Sequence, residues 1–250
     1  MDHRSKEYKE HSFSFSHRLL PIAFCLFLLV SCSARYEVAP EHPSVIQEPR
    51  PSSLQEMKGE QKTVLASWYG PEFHGKPTSS GEMYNMYALT CAHRDYPFGT
   101  KLRVINVRNS KEVECTVNDR GPFVAGRGLD LSYAAAKKID LIGSGTSAVL
   151  IEPIGRDLRY VKYVRYGGVL DSVVTIQVGS FRDEASAKQL KKALELRYSY
   201  VYIMQADVGG VKYYRVRLGR FTSRSEAAAG GKALADEGYN VLITKFEQQI

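Results

Sequence analysis

Within residues 66–122 the chain carries two candidate catalytic carboxyls and a candidate imidazole: Glu82, Asp119 and His93. Each stands close to glycine or proline, as in Gly81-Glu82 and Asn118-Asp119-Arg120-Gly121-Pro122, where turns bring side chains to the surface of a scaffold. Breaking a glycosidic bond needs a group that protonates the leaving oxygen. A carboxyl can do so when burial or a neighbouring anion raises its pKa. Asp119 and Glu82 are the candidates, and Asp119 ends a β run and enters a sharp turn. Arg120 could pair with a carboxylate, orienting it while lowering its pKa. His93 could hydrogen-bond the carboxylate or the substrate. Trp68, Tyr69 and Phe73 offer flat apolar faces to sugar rings, and Gly70 and Gly75 permit close approach of the backbone. Plainer readings stand beside these: a turn-capping Asp119, a structural His93, and Trp68 and Tyr69 as plugs of a barrel. For a metal this stretch offers only His74 and His93, with no HExxH or CxxC, so no metal and no cofactor are expected.

The elements that must position these groups are short strands. Lys101–Val107 alternates in part and Glu112–Val117 alternates polar with apolar, with a turn at Asn109-Ser110 between them. Leu131–Ile139 reads as a short helix and Ala148–Ile151 as a closing strand. Many short strands with one or two small helices predict a compact barrel, so the middle of the chain is mainly β. The last part repeats itself at an offset of forty. Gln177-Val178-Gly179-Ser180-Phe181 returns as Arg217-Leu218-Gly219-Arg220-Phe221, and Ala187, Leu194, Val201 and Ile203 return as Ala227, Leu234, Val241 and Ile243. Each unit reads strand, glycine turn, helix, strand, which predicts an α+β, ferredoxin-like βαββαβ domain. On its half-covered sheet Ile176, Val178, Tyr214, Val216 and Leu218 should face the helices. Gln177, Tyr213, Arg215 and Arg217 should face outward, as an amide, an aromatic ring and two guanidinium groups suited to a glycan. An ordinary solvated sheet face is the plainer alternative.

The chain of 250 residues carries a formal net charge of +7. That balance admits nucleic acid, acidic lipid headgroups or an anionic polymer as partner. The chain has no long Lys/Arg block, helix-turn-helix pattern or RNP1 aromatics, so nucleic acid is not expected. Arg4, Lys6, Lys9 and Arg18 precede an apolar run from Leu19 to Val30, too short for a membrane-spanning helix but the right length for a secretory signal. The run ends in Leu29-Val30-Ser31-Cys32, which resembles a bacterial lipobox. On that reading Cys32 is lipidated and becomes the mature N-terminus, and Ser33 after it points to the outer membrane. A simple cleaved signal is the alternative. Residues 33–62, broken by Pro40, Pro43 and Pro51, read as a disordered tether. Cys91 and Cys115 remain in an exported chain, as a disulfide or as two buried thiols.

Taken together, Ala66-Ser67-Trp68-Tyr69-Gly70, Phe73-His74-Gly75, Thr78–Glu82, Ala88–His93, Pro97-Phe98-Gly99-Thr100, Asn118–Phe123 and Asp130-Leu131-Ser132 resemble the rare lipoprotein A (RlpA) family. The terminal repeat resembles the SPOR domain. The resemblance implies a lipoprotein signal at 1–31, a tether at 32–62, and a double-psi β-barrel at 63–153, similar to expansins. It continues with a linker at 154–171 and a SPOR domain at 172–248 that binds septal peptidoglycan stripped of stem peptides. It further implies a lytic transglycosylase that cuts between N-acetylmuramic acid and N-acetylglucosamine and leaves 1,6-anhydro ends. Asp119 and His93 would be central and Glu82 supporting, with Trp68, Tyr69, Asn85 and Arg120 on the substrate. Partners would be glycan strands and, through the lipid, the outer membrane on its periplasmic face, with enrichment at the division septum. A barrel that grips glycan without cutting it is the alternative. Two positions depart from the pattern: Asn85 where many members carry Asp, and Cys91 where alanine is usual. A Cys91–Cys115 bridge would clamp the strands that carry His93 and Asp119.

Overall fold

The computed structural model describes residues 60–168 and 172–247, so the signal segment, Cys32 and the tether through residue 59 lie outside the described residues. Six strands close into a barrel: β1 (Lys62–Trp68), β2 (Thr90–Ala92), β3 (Thr100–Asn106), β4 (Glu112–Asp119), β5 (Arg127–Leu131) and β6 (Ser147–Arg156), in the order β1-β5-β2-β4-β3-β6. The pairs β1–β5 and β2–β4 are parallel and the other four antiparallel. Alternation drives this closure. Leu102 and Val104 on β3, Val113, Cys115 and Val117 on β4, and Val149 and Ile151 on β6 all fill the interior, while their neighbours stay wetter. Helix α1 (Tyr133–Lys138) closes one side, capped by the Ser132 hydroxyl, which accepts from the Ala135 N–H. Cys91 on β2 and Cys115 on β4 are joined by a disulfide with their Cα atoms 6.0 Å apart. It links the two strands that lead directly to His93 and Asp119.

The second sheet has the order β7-β11-β8-β10-β9. Its strands are β7 (Val164–Tyr166), β8 (Val174–Phe181), β9 (Val201–Val208), β10 (Val211–Phe221) and β11 (Val241–Lys245). With α2 (Glu184–Glu195) and α3 (Arg224–Asp236) between them, β8 to β11 make the βαββαβ ferredoxin-like arrangement. The forty-residue repeat has a packing reason. A Cβ on Gly179 would lie 2.6 Å from the Phe181 ring, and one on Gly219 would lie 2.2 Å from the Phe221 ring, so each glycine makes room for the phenylalanine two residues on. The caps repeat as well, with Asp183 receiving the Ser186 N–H and Ser223 the Glu226 N–H. Ile176, Val178, Val216 and Leu218 are buried toward the helices and Tyr214 is half-buried.

The connector read at 154–171 is more structured than its composition suggests. Strand β6 continues to Arg156, a one-turn 3-10 helix spans Leu158–Tyr160, and β7 adds to the second sheet by pairing in parallel with β11. The helical layer of the second domain, not its sheet, meets the barrel. Arg120, only 1% exposed, lies with its guanidinium 3.8 Å from the centre of the Phe98 ring and 5.0 Å from that of Tyr239. Its Nε donates to the Tyr239 hydroxyl at 2.6 Å and its Nη1 to the Tyr96 carbonyl at 2.9 Å. Arg156 bridges the same junction, donating to the carbonyls of Phe98 and Asp236, and the Phe98 N–H donates to the Glu237 carbonyl.

Two outcomes follow from this frame. Replacing Cys91 and Cys115 together by alanine should cost ~3 kcal/mol of unfolding free energy in urea, the chain-entropy value for a loop of this size; an unchanged midpoint would show that the bridge does not restrain the unfolded chain. Arg120→Ala should destabilise by ~2–4 kcal/mol, through lost ring contacts and stranded partners, and should speed proteolysis between residues 157 and 168.

Candidate active site in the cleft between the domains

Strand β4 ends at Asp119, and the chain then turns at Gly121, whose φ of 145° suits glycine. This turn leaves the Asp119 carboxyl at the barrel rim, 9% exposed, where several donors converge. Oδ1 accepts from the N–H groups of Ser79 at 2.9 Å and Arg120 at 2.7 Å. Oδ2 accepts from the Tyr69 hydroxyl at 3.1 Å and from Nε2 of Gln189, on α2 of the second domain, at 3.4 Å. Burial raises the pKa of Asp119, and the bonds from Ser79, Arg120 and Tyr69 oppose that rise without cancelling it. Tyr69 is driven well above the ordinary phenol range by burial and then by the charges of Asp119 and Asp130. It is therefore a permanent neutral donor.

The cleft around this carboxyl is lined on the barrel side by Tyr69, Phe73, Lys76 and Tyr84, and on the other side by Asp183, Ser186 and Gln189. Tyr69 packs edge-on against Phe73 and tilted against Tyr84, forming an aromatic floor.

Glu82 does not meet Asp119. Its Oε2 accepts from Asn118 Nδ2 at 2.8 Å and from the Tyr160 hydroxyl at 2.9 Å. Asn118 and Asp119 are successive residues of a strand, so their side chains point to opposite faces, and Glu82 follows Asn118. What Glu82 secures is the 78–82 loop: the Thr78 N–H donates to the Glu82 carbonyl and the Ser80 N–H to the Asn118 carbonyl. That loop carries the Ser79 N–H to the Asp119 carboxyl. His93 donates its main-chain N–H to the Asp119 carbonyl, while its Nδ1 accepts from the N–H groups of Asp95 and Tyr96. With Nδ1 accepting, a neutral ring carries its proton on Nε2. The imidazole stacks on Tyr96 with ring centres 4.3 Å apart.

Of the barrel residues expected on the substrate, the cleft takes in Tyr69. Trp68 is half-buried edge-on against Tyr133 of α1 and packs on the barrel core. Asn85 lies exposed, its side chain accepting from the Tyr87 N–H. Arg120 is corrected outright. Its side chain faces the second domain rather than the carboxyl, because Phe98 and Tyr239 provide a slot for it, and only its main-chain N–H serves Asp119. On the far sheet Gln177, Tyr213 and Arg215 are half-buried, with the Arg182 guanidinium near the Tyr213 ring. Arg217 is also corrected: it is 2% exposed and paired with Glu247 at 3.0 Å, where the Phe246-Glu247 segment covers it, the Phe246 ring packed with Tyr200 and Tyr202.

Three contributors to the site had no role in the sequence reading. Ser79 acts through both its backbone N–H and its side chain. Asp130, buried beside β1, receives the Ser67 hydroxyl and lies 3.9 Å from Arg127, with burial raising its pKa more than those partners lower it. Gln189 comes from another domain, and its place at Asp119 depends on tertiary packing that no spacing reveals.

A six-stranded closed barrel with two parallel pairs and a buried carboxyl at its rim, beside a cleft floored by aromatic rings, is the arrangement of a double-psi barrel. Residues 61–151 match the family model described as lytic transglycolase with a double-psi β-barrel, and residues 171–245 match the SPOR domain. The chain belongs to the RlpA family. It is 39% identical over 186 residues to the endolytic peptidoglycan transglycosylase RlpA of Campylobacter jejuni, a match covering 68% of this chain and 67% of that one. It is 34% identical over 210 residues to the protein of the same name from Helicobacter pylori, covering 76% of this chain and 59% of that one. The Vibrio cholerae protein of that name is 50% identical over 100 residues, covering 40% of this chain and 38% of its own length.

The burial of Asp119 has a consequence for stability. A carboxyl whose pKa is raised on folding stabilises the fold fully below its unfolded pKa, and that contribution is lost as pH rises through the folded pKa. Asp119→Asn should therefore raise the thermal midpoint at pH 7, with the advantage shrinking as pH falls through the carboxylate range. An advantage independent of pH would sever the link to ionisation.

Proposed function

We propose that this protein is a lytic transglycosylase acting on peptidoglycan, with Asp119 as the group that gives and then takes the proton. The observation that carries the reading is the single buried carboxyl at the cleft, raised in pKa yet ringed by donors that can stabilise its anion. Protonated Asp119 transfers its proton to the glycosidic oxygen between N-acetylmuramic acid and N-acetylglucosamine as the bond to C1 breaks. The carboxylate left behind is stabilised by Ser79, Arg120 and Tyr69. It then accepts the proton of the muramic acid C6 hydroxyl as that oxygen bonds to C1, closing the 1,6-anhydro ring and restoring the acid. No water is consumed. Tyr69 and Phe73 provide the sugar platform. Glu82 and His93 serve by holding the 78–82 loop and the Asp119 backbone in place.

The outward sheet face with Gln177, Tyr213 and Arg215 supports recognition of glycan stripped of stem peptides, whose exposed lactyl carboxylates suit a guanidinium. That preference would bring the enzyme to the division septum. Cys32, with its lipobox, would anchor it to the outer membrane, and the tether would give it reach.

The lipid-free protein should convert amidase-treated glycan strands to products with anhydro-muramic ends, read by mass spectrometry, and Asp119→Asn should lose that product by at least ~100-fold. Reducing ends would mean hydrolysis and a different mechanism. Strands that co-sediment uncut would identify a glycan-binding protein instead.

A further inference from the structure

Gln189 sits on α2 of the second domain, yet it reaches across to the catalytic rim. Its Nε2 donates to the Arg120 carbonyl at 2.9 Å and to Asp119 Oδ2 at 3.4 Å. An amide nitrogen has two protons, so the first bond can fix the side chain while the second serves the carboxylate. Its neighbours Asp183 and Ser186 line the same cleft opposite Lys76 and Phe73. These are walls of one groove supplied by two domains.

The junction that holds α2 in place is bonded on both sides. The Arg120 guanidinium is enclosed by Phe98 and Tyr239, Arg156 donates to a carbonyl of each domain, and the connector adds β7 to the second sheet. Lys192, one helical turn beyond Gln189, lies 5.3 Å from the ring centre of Phe123, on the turn that follows Asp119. Helix α2 therefore rests on the catalytic turn at two successive levels of its own length.

We propose that the second domain is part of the active site, with Gln189 as a positioning residue that orients the Asp119 carboxyl and with Asp183 and Ser186 forming the far wall of the glycan groove. This rests on the reading of Asp119 as acid and base. Under it, the SPOR-type domain does more than retain the enzyme on its substrate. It completes the hydrogen-bond shell of the carboxylate that must exist midway through the reaction.

The test uses two near-isosteric replacements in the lipid-free protein, Gln189→Met and Gln189→Glu. Methionine keeps the volume and removes the donor, and glutamate puts an acceptor where the donor was. The first readout is the titration of Asp119, followed by carboxyl carbon NMR with Asp119→Asn for assignment; it needs no turnover. Losing a donor to the anion should raise the Asp119 pKa by about half a unit or more with Met, and further with Glu. The second readout is the pH dependence of anhydro-product formation. Its alkaline limb should move upward by the same amount, with kcat lowered more than KM is raised. An unmoved Asp119 titration in both variants would overturn the proposal and reduce the contact to packing. So would a rise in activity with an unmoved titration, since the helix would then be obstructing the site. If the wild type makes no anhydro product but the titration shifts as stated, the positioning contact stands and the reading of the reaction fails.

Discussion

A guanidinium without a carboxylate partner is buried one residue after the candidate acid, and the arrangement of the whole molecule follows from how it is accommodated. Arg120 makes no salt bridge among the described residues; it is held by two aromatic rings, a tyrosine hydroxyl and a main-chain carbonyl. Its Nη2 is buried without a hydrogen-bond partner, so the rings and the bonds at Nε and Nη1 must offset the cost of burying the charge. The barrel supplies Phe98 and Tyr96 and the second domain supplies Tyr239, so neither domain alone could house the side chain. The domain junction and the catalytic turn are thus one structure. Any movement between domains would be felt at the main chain of Arg120, whose N–H is a donor to the Asp119 carboxyl.

The site balances two electrostatic effects of opposite sign. Burial favours the neutral acid, and donors favour the anion. Burial is the larger for Asp119, as it is for Asp130, while Tyr69 is kept neutral by burial and by both carboxyls. A group that must act as acid and then as base in one turnover needs neither form to be overwhelmingly preferred. On the proposed reading, a buried rim carboxyl fitted with backbone and phenol donors would meet that requirement. Glu82 is accordingly engaged elsewhere, tying Asn118 to Tyr160 and so bringing the connector between the domains into the support of the catalytic loop.

Much of this was legible in the sequence because it is local. Alternation in residues 101–107 and 112–117 located β3 and β4, and the forty-residue repeat gave the second domain because Gly179 and Gly219 serve the same steric end beside Phe181 and Phe221. The place of Asp119 at the end of a strand was legible from the turn that follows it. What escaped is non-local. A strand of three residues such as β7 has too little periodicity to be seen, and its existence depends on an edge that β11 offers. Arg120 reads as a natural partner for the adjacent aspartate, but a side chain follows the cavity that fits it. Arg217 alternates correctly with Val216 and Leu218, yet the turn of the chain at Phe246 and Glu247 covers it. Ser79 reaches the carboxyl with its backbone N–H and its side chain, an approach that depends on how the 78–82 loop folds and that composition does not show.

The orientation of the second domain gives the two halves a division of labour. A ferredoxin-like layer has a helical face and a bare sheet face, and when such a domain binds with its sheet, something must become of its helices. Here α2 and α3 turn toward the barrel, with Gln189 and Lys192 on the catalytic turn and the end of α3 against Phe98 and Arg156. The sheet face bearing Gln177, Tyr213 and Arg215 is thereby directed away from the cleft. On the proposed reading, a glycan bound on that sheet and one lying against Asp119 would be separated by a layer of helices.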